Sequence, residues 1–367
     1  MRILHVTNAL KWSGGLKQVS ILMRELAARG HENILVCPPG CELPGRLDPR
    51  DSARIAVERL AIYQDYDVLA AIRLGRLARA HGAEIVHAHH SAAHAVSLLA
   101  LAGSARPGLV VSRRVSFSPA GNPFSRWKYR SGRIGGFAAV SEAVRETLVQ
   151  GGVDPARVRV VYSAVDPAEF VVDPETSLRV RTAIGIADGA PVIGKIGNYG
   201  VAKGQSVLLE AAREVLRARP DAVFLLAGRQ LERIAPMIDE MGLASSIRSL
   251  GFRTDVPALL SIMNVSVNAA IAGEGLSGAM RESLLMGIPV VASDVAGNRE
   301  IVRNGETGRL VPCGDAGALA RAILETLDHE DDARRLAARG REWVLGHAVP
   351  AKLAEGSLDL YRSVLER

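Results

Sequence analysis

From its first residues the chain alternates short apolar runs with amphipathic stretches. Residues 3–6 form an apolar-rich run of strand length. Residues 15–29 follow with Val19, Leu22, Met23, Leu26 and Ala27 at helical spacing, stopped by Gly30. Further runs of strand length fall at 34–37, 84–87, 109–112, 137–140 and 158–162, with helical periodicity between most of them. The pattern breaks over 163–176, where Pro167 and Pro174 interrupt any clean period, and a linker is expected there. Alternation then resumes, with strands expected at 192–196, 223–227, 249–251, 265–268 and 289–292. From Gly317 onward nearly everything reads as helix. Repeated strand–helix alternation predicts mostly parallel, doubly wound sheets. Two such series predict two domains with a cleft at the carboxyl ends of their strands.

Composition narrows this picture. The chain has 367 residues, of which 48% are hydrophobic and 23% charged, as in ordinary globular proteins. Aromatics make up only 4%, so the core must be aliphatic, which suits helices packed on a parallel sheet. Cys37, Cys41 and Cys313 are too few for a disulfide framework and lack zinc-site spacing, so reduced thiols in a cytoplasmic setting are expected. The first strand starts at once, so no signal peptide is expected, and no apolar run is long enough to span a bilayer. The net charge of +6 is uneven: residues 1–170 carry +8 and the remainder −2. A basic first half suits an anionic membrane surface or a phosphorylated acceptor, or is simply a solubilising face. No recognition motif supports nucleic-acid binding.

The sharpest chemical signal is Glu274-Gly275-Leu276-Ser277-Gly278-Ala279-Met280-Arg281-Glu282. A glycine-rich loop opening a helix presents unpaired amides to a diphosphate or a sugar hydroxyl. Glu274 in the loop can accept hydrogen bonds from sugar hydroxyls, and Glu282, one turn in, from both hydroxyls of a ribose. A cation at a helix start, such as Lys203, is unfavourable on its own and hints at an anionic partner. Ser13-Gly14-Gly15 after the first strand is either a tight turn or a second phosphate contact. His87, His89, His90 and His94 read as a strand end and loop, and no metal site is expected. Asp65-Tyr66-Asp67 precedes a helix instead of following an apolar strand, so a metal-binding role is not expected there either.

Taken in order, Ser13-Gly14-Gly15, Val86-His87-Ala88-His89, Val140-Ser141-Glu142-Ala143-Val144, Lys203-Gly204, Leu250-Gly251-Phe252, the two spaced glutamates and Asn304-Gly305-Glu306-Thr307-Gly308 resemble the retaining glycosyltransferases of family 4 over nearly the whole chain. The resemblance implies the GT-B fold: two Rossmann-like doubly wound domains facing each other across a deep cleft. It places an acceptor-binding domain at 1–170 and a nucleotide-sugar-binding domain at 171–349, with a last helix over 350–367 that can pack back on the first domain. It also implies transfer of a sugar from a nucleotide-sugar to a glycan or lipid-linked acceptor, as in cell-surface polysaccharide or lipopolysaccharide synthesis, with no metal and no cofactor. Glu274 would contact the donor sugar, Glu282 the ribose and Lys203 the leaving diphosphate. Gly14, Gly15, Asn198, Phe252, Arg253, Gly275, Leu276, Ser277 and Gly278 would complete the donor contacts.

Two positions depart from the family's pattern. Many members have an arginine where this chain has Asn198, and a histidine where it has Arg114. An arginine cannot act as a base, so Arg114, with Arg113 beside it, is expected to bind a phosphate or an anionic acceptor and to restore missing positive charge. A second basic stretch, Arg126-Trp127-Lys128-Tyr129-Arg130, interleaves cations with aromatics and suits acceptor sugars or the inner face of a cytoplasmic membrane. The alternative reading is a non-catalytic protein that binds a sugar-nucleotide or a glycan on the same scaffold.

Overall fold

The computed structural model describes residues 1–47, 54–119, 121 and 123–367. They form two compact units, Met1–Ala164 together with Pro350–Arg367, and Val165–Val349.

The first unit holds β1 (Arg2–Val6), α1 (Gly14–Ala28), β2 (Glu32–Cys37), β3 (Ile55–Arg59), α2 (Val68–Ala80), β4 (Ile85–Ala88), α3 (Ser91–Ala100), β5 (Gly108–Arg113), α4 (Pro123–Arg130), β6 (Gly136–Ala139), α5 (Glu142–Gln150) and β7 (Val158–Val160). The seven strands make one sheet in the order β3-β2-β1-β4-β5-β6-β7, and every pairing is parallel. Central strands such as β4 are buried at every position, which is why they read as mainly apolar runs, with His87 the polar exception in β4. Ser13 caps α1 by accepting from the Leu16 amide, and α1 buries Leu16, Val19, Leu22, Met23 and Leu26. The chain's last helix belongs to this unit: Leu360, Tyr361 and Val364 share a core with Ile3, Ile85, Val110 and Ala138.

The second unit holds α6 (Pro174–Ala183), β8 (Val192–Ile196), α7 (Gln205–Ala218), β9 (Val223–Ala227), α8 (Ala235–Glu240), β10 (Ile247–Ser249), α9 (Val256–Ser261), β11 (Val265–Asn268), α10 (Gly278–Leu285), β12 (Val290–Ser293), α11 (Asn298–Ile301), β13 (Arg309–Val311), α12 (Ala316–Asp328) and α13 (Glu330–His347); α14 (Pro350–Leu365) is the helix returned to the first unit. Its six strands run β10-β9-β8-β11-β12-β13, again all parallel. Ile193, Phe224, Leu226, Val267 and Val291 pack against Leu208, Ala212 and Val215 of α7 and Leu319 and Ile323 of α12. Both sheets place the first strand in the middle and reverse order beside it, so functional loops gather at the carboxyl ends there.

Two strands escape the pattern of the sequence. β3 lies at the sheet edge with Ala56, Val57 and Arg59 exposed, and β13 has only three residues. β10 lies two residues earlier than expected, because its partner, β9, pairs with Ile247–Ser249. Among the described residues no helix is long and apolar enough to cross a membrane.

Candidate active site

In the second unit, the ends of β8 and β11 and the start of α10 bring the expected donor residues together. Lys203 ends a short turn after β8, and the carbonyl of Ala202 accepts from the amides of Ile271 and Ala272 beyond β11. Gly204 fixes that turn at φ +64°, where a Cβ would lie 1.8 Å from the carbonyl oxygen of Ala269. No side chain fits there, so the Lys203 stem is clamped against the end of β11. Its Nζ donates to Glu274 Oε1 at 2.5 Å. Glu274 is buried whereas the Lys203 side chain is 42% exposed, so the pair adds little to stability.

The loop carrying Glu274 rests on a buried polar network. Asn268 Nδ2 donates to Ser277 Oγ at 2.9 Å and to Asn298 Oδ1 at 3.4 Å. Asn298 Nδ2 in turn donates to the Ser293 carbonyl. A Cβ on Gly297 would meet the Gly275 and Glu274 carbonyls at 2.3 and 2.6 Å, so the loop backbone lies flat on this turn. Ser277 stands at the N-cap of α10 without a side-chain cap bond, Gly275, Leu276 and Ser277 are buried, and Glu282 follows Gly278 by one turn. The first-turn amides of α10 are therefore left to an acceptor from outside the helix.

Two cations that sequence reasoning passed over lie in this neighbourhood. Lys195 of β8 is buried, and among the described residues its ammonium makes no hydrogen bond or ion pair. Burial pushes it from its ordinary 10.5 down to about 8, with Glu274 opposing the drop and Lys203 adding to it. Arg281 of α10 is buried too and lowered to about 10 by desolvation, which Glu282 and then Glu274 oppose. The signal was present as a lysine inside an apolar strand and an arginine between two glutamates. Lys195, Lys203 and Arg281 against Glu274 and Glu282 leave one positive charge in excess.

Asn198 is not aimed outward as a free amide: its Oδ1 accepts from the Arg229 amide at 2.9 Å. The Arg229 guanidinium stacks on Phe252, 3.8 Å from the ring centre. Arg253 turns to Asp255 in a two-pronged bond of 2.7 and 2.5 Å and is therefore already neutralised.

In the first unit, a pocket of about 350 Å³ opens where β4 and β5 end, lined by Gly15, His90, His94, Arg113, Arg114 and Tyr129 among others. Gly14 is the first residue of α1, beside it. Arg113 is spent on the protein: its guanidinium donates to Tyr129 Oη and to the carbonyls of Val115 and Phe117. Arg114 donates through Nη1 to the His89 carbonyl at 2.9 Å and through Nη2 to His89 Nδ1 at 3.3 Å. Behind it runs a chain of buried rings. Both Asn33 Nδ2 hydrogens go to carbonyls, of Met23 and His31, which makes Asn33 Oδ1 the acceptor for His5 Nε2. His5 Nδ1 then accepts from His89 Nε2, leaving His89 Nδ1 to accept from Arg114. Burial lowers the pKa of His5 to about 4 and holds His87 and His89 well below the ordinary histidine value, so all three are neutral.

His5, His87 and His89 are the one group among the described residues whose ligand atoms converge within 4.8 Å. Their nitrogens are engaged, His87 with Tyr361 Oη and Ser112 Oγ, and a guanidinium abuts His89, which suits a hydrogen-bonded core and not a cation. Asp67 caps α2 through the Ala70 amide and Asp65 pairs with Lys128, so both aspartates have structural work. That pairing changes the basic stretch as well: Lys128 is buried, and the exposed members are Arg126, Trp127 and Arg130, with Arg130 donating to the Gly151 carbonyl.

Comparison with known proteins follows this division. Residues 12–169 match the family described as Glycosyltransferase Family 4, and residues 190–329 match Glycosyl transferases group 1. The phosphatidyl-myo-inositol mannosyltransferase of Mycobacterium leprae is 36% identical over 42% of this chain and 43% of its own length. The 2-deoxystreptamine N-acetyl-D-glucosaminyltransferase of Streptomyces fradiae is 27% identical over 96% of this chain and 92% of its own. The matches to the first curated relatives span about half of those proteins' lengths. Anabaena HepE, solved with UDP-glucose, superimposes with a TM-score of 0.86 at 20% identity, covering 99% of this chain and 100% of its own. The chain belongs to the group 1, family 4 glycosyltransferases and has their GT-B fold.

Proposed function

We propose that the chain transfers a sugar from a nucleoside-diphosphate sugar to a hydroxyl of a glycan or lipid-linked acceptor, with retention of configuration and without a metal ion. The observation that carries this reading is the clamped Lys203–Glu274 pair beside the open amides of α10, with Lys195 and Arg281 buried behind it. Fixed positive charge there offsets the charge that develops on the diphosphate as the glycosidic bond breaks, a task otherwise given to a metal. A diphosphate arriving at Lys203 competes with Glu274 for the ammonium and frees that carboxylate to accept from donor hydroxyls. Asn198 adds no charge, and Lys195 and Arg281 supply the positive field that an arginine at that place would give. Retention follows from attack on the face the diphosphate leaves. The acceptor oxygen bonds to the anomeric carbon, the bond to the diphosphate breaks, and a phosphate oxygen takes the hydroxyl proton.

The donor in HepE, UDP-glucose, supports a nucleoside-diphosphate sugar here as well. The exposed Trp127, Arg126 and Arg130 favour an acceptor presented at an anionic membrane surface on its cytoplasmic side. Thermal stabilisation by UDP, GDP, ADP and CMP, with and without EDTA, tests the donor half. A ligand at a hundred times its dissociation constant adds about 2.7 kcal/mol. One nucleotide should shift the wild type regardless of EDTA and fail to shift Glu282→Ala; no shift with any nucleotide refutes the reading.

A further inference from the structure

The pocket of the first unit contains polar groups that the protein leaves unused. His94 is 1% exposed and lines the pocket, yet among the described residues its ring nitrogens have no partner beyond a weak contact with the Lys128 backbone. The Nε of Arg114 is likewise buried and unpartnered. Buried polar atoms in native proteins are nearly always paired, so two at one cavity wall point to a ligand. The sign of the site is equally plain. Among the described residues no carboxylate lines it and Arg114 has no acidic partner, and desolvation lowers even its guanidinium to about 10. A desolvated cation without a counter-ion is unfavourable unless an anion joins it. Gly15, in the first turn of α1, adds the positive end of a fifteen-residue helix.

We propose that this pocket seats an anionic group, a phosphate or a carboxylate, of the acceptor, held by Arg114 and His94 at the start of α1. The proposal rests on the glycosyltransferase reading and names the class of acceptor: a charged sugar or polyol in preference to a neutral one. Arg114 is then a residue that selects the acceptor.

The test is calorimetric titration of the full chain with glucose 6-phosphate, glucuronate and glucose, in wild type, Arg114→Gln, His94→Phe and Glu282→Ala. At least one of the two anions should bind ten times or more tighter than glucose. That preference should fall at least tenfold in Arg114→Gln and His94→Phe and persist in Glu282→Ala. Equal binding of all three sugars, or anion binding indifferent to both pocket substitutions, overturns the proposal. So does competition by UDP for the anion in Glu282→Ala, which would give the pocket to the donor diphosphate. Should the substitutions unfold the chain, the His94 ring nitrogens of the wild type decide by NMR: a shift on adding glucose 6-phosphate or glucuronate supports the proposal, and no shift with either overturns it. Loss of nucleotide binding in the wild type, with anion binding intact, would refute the donor reading alone.

Discussion

Lys195→Met should make the protein more stable and a poorer nucleotide binder. The ammonium sits in β8 with no hydrogen bond among the described residues, and burial moves its pKa from 10.5 to about 8. At 1.36 kcal/mol per unit, holding the charge in the folded state costs about 3 kcal/mol at neutral pH. Methionine is of similar length and removes that penalty with little change in packing. For a unit of this size a gain of about 3 kcal/mol raises Tm by roughly 6–12 °C. The pH dependence identifies the cause. Between about pH 8 and 10.5 the unfolded chain binds the proton that folded Lys195 has lost, so wild-type stability rises with pH through that window. The gap between variant and wild type should therefore be full at pH 7, shrink above pH 8 and close near 10.5. Glu274 and Lys203 are the charged groups acting on Lys195, so the same scan in Glu274→Gln should show a larger penalty. Scanning calorimetry across pH 6.5–10 reads the first effect, and nucleotide titration at pH 7 reads the second, with affinity expected to fall about tenfold for one desolvated charge. A variant that melts below wild type at pH 7, or binds nucleotide equally well, refutes the account of Lys195.

Gly204→Ala forces a Cβ to 1.8 Å from the Ala269 carbonyl at a left-handed φ. It should lower stability by more than about 2 kcal/mol in urea titration and weaken nucleotide binding as Lys203 shifts. The first unit should be acid-sensitive. His5 is neutral when folded, with its pKa lowered from 6.5 to about 4, so the unfolded chain binds protons first as pH falls below 6.5. Stability should drop by about 3 kcal/mol by pH 4 from His5 alone, with His87, His89 and His90 adding to it. Protection factors of peptides from 1–37, corrected for intrinsic exchange at each pH, should fall over that range, and Asn33→Leu, which leaves His5 Nε2 unpaired, should lower them at pH 7.

Sequence alone revealed the elements with a strong period. The strands expected at 192–196, 223–227 and 265–268 are those observed, because buried parallel strands stay mainly apolar runs even where Lys195, Ser266 or Asn268 interrupts them. β3 escaped because an edge strand with one face in solvent has no such run, and β13 because three residues carry no period. At the site, Glu274 and Lys203 were legible as a charge in a glycine-rich loop and a cation at a helix start; their direct contact was not, since 71 residues separate them. Lys128 shows the opposite limit. It reads as one more cation on a basic helix, and only the fold reveals that Asp65 and Ser91 draw it inside. The unpartnered nitrogens of His94 are invisible to sequence, because an unused donor is defined by what the fold fails to place beside it.

The most direct test of the central claim is nucleotide release from UDP-, GDP- and ADP-sugars, with EDTA present, by wild type and Glu274→Gln. The account predicts release from one nucleotide class at a rate indifferent to EDTA. The variant should lose about a hundredfold or more. Equal release by the variant, or release that EDTA abolishes, would contradict it.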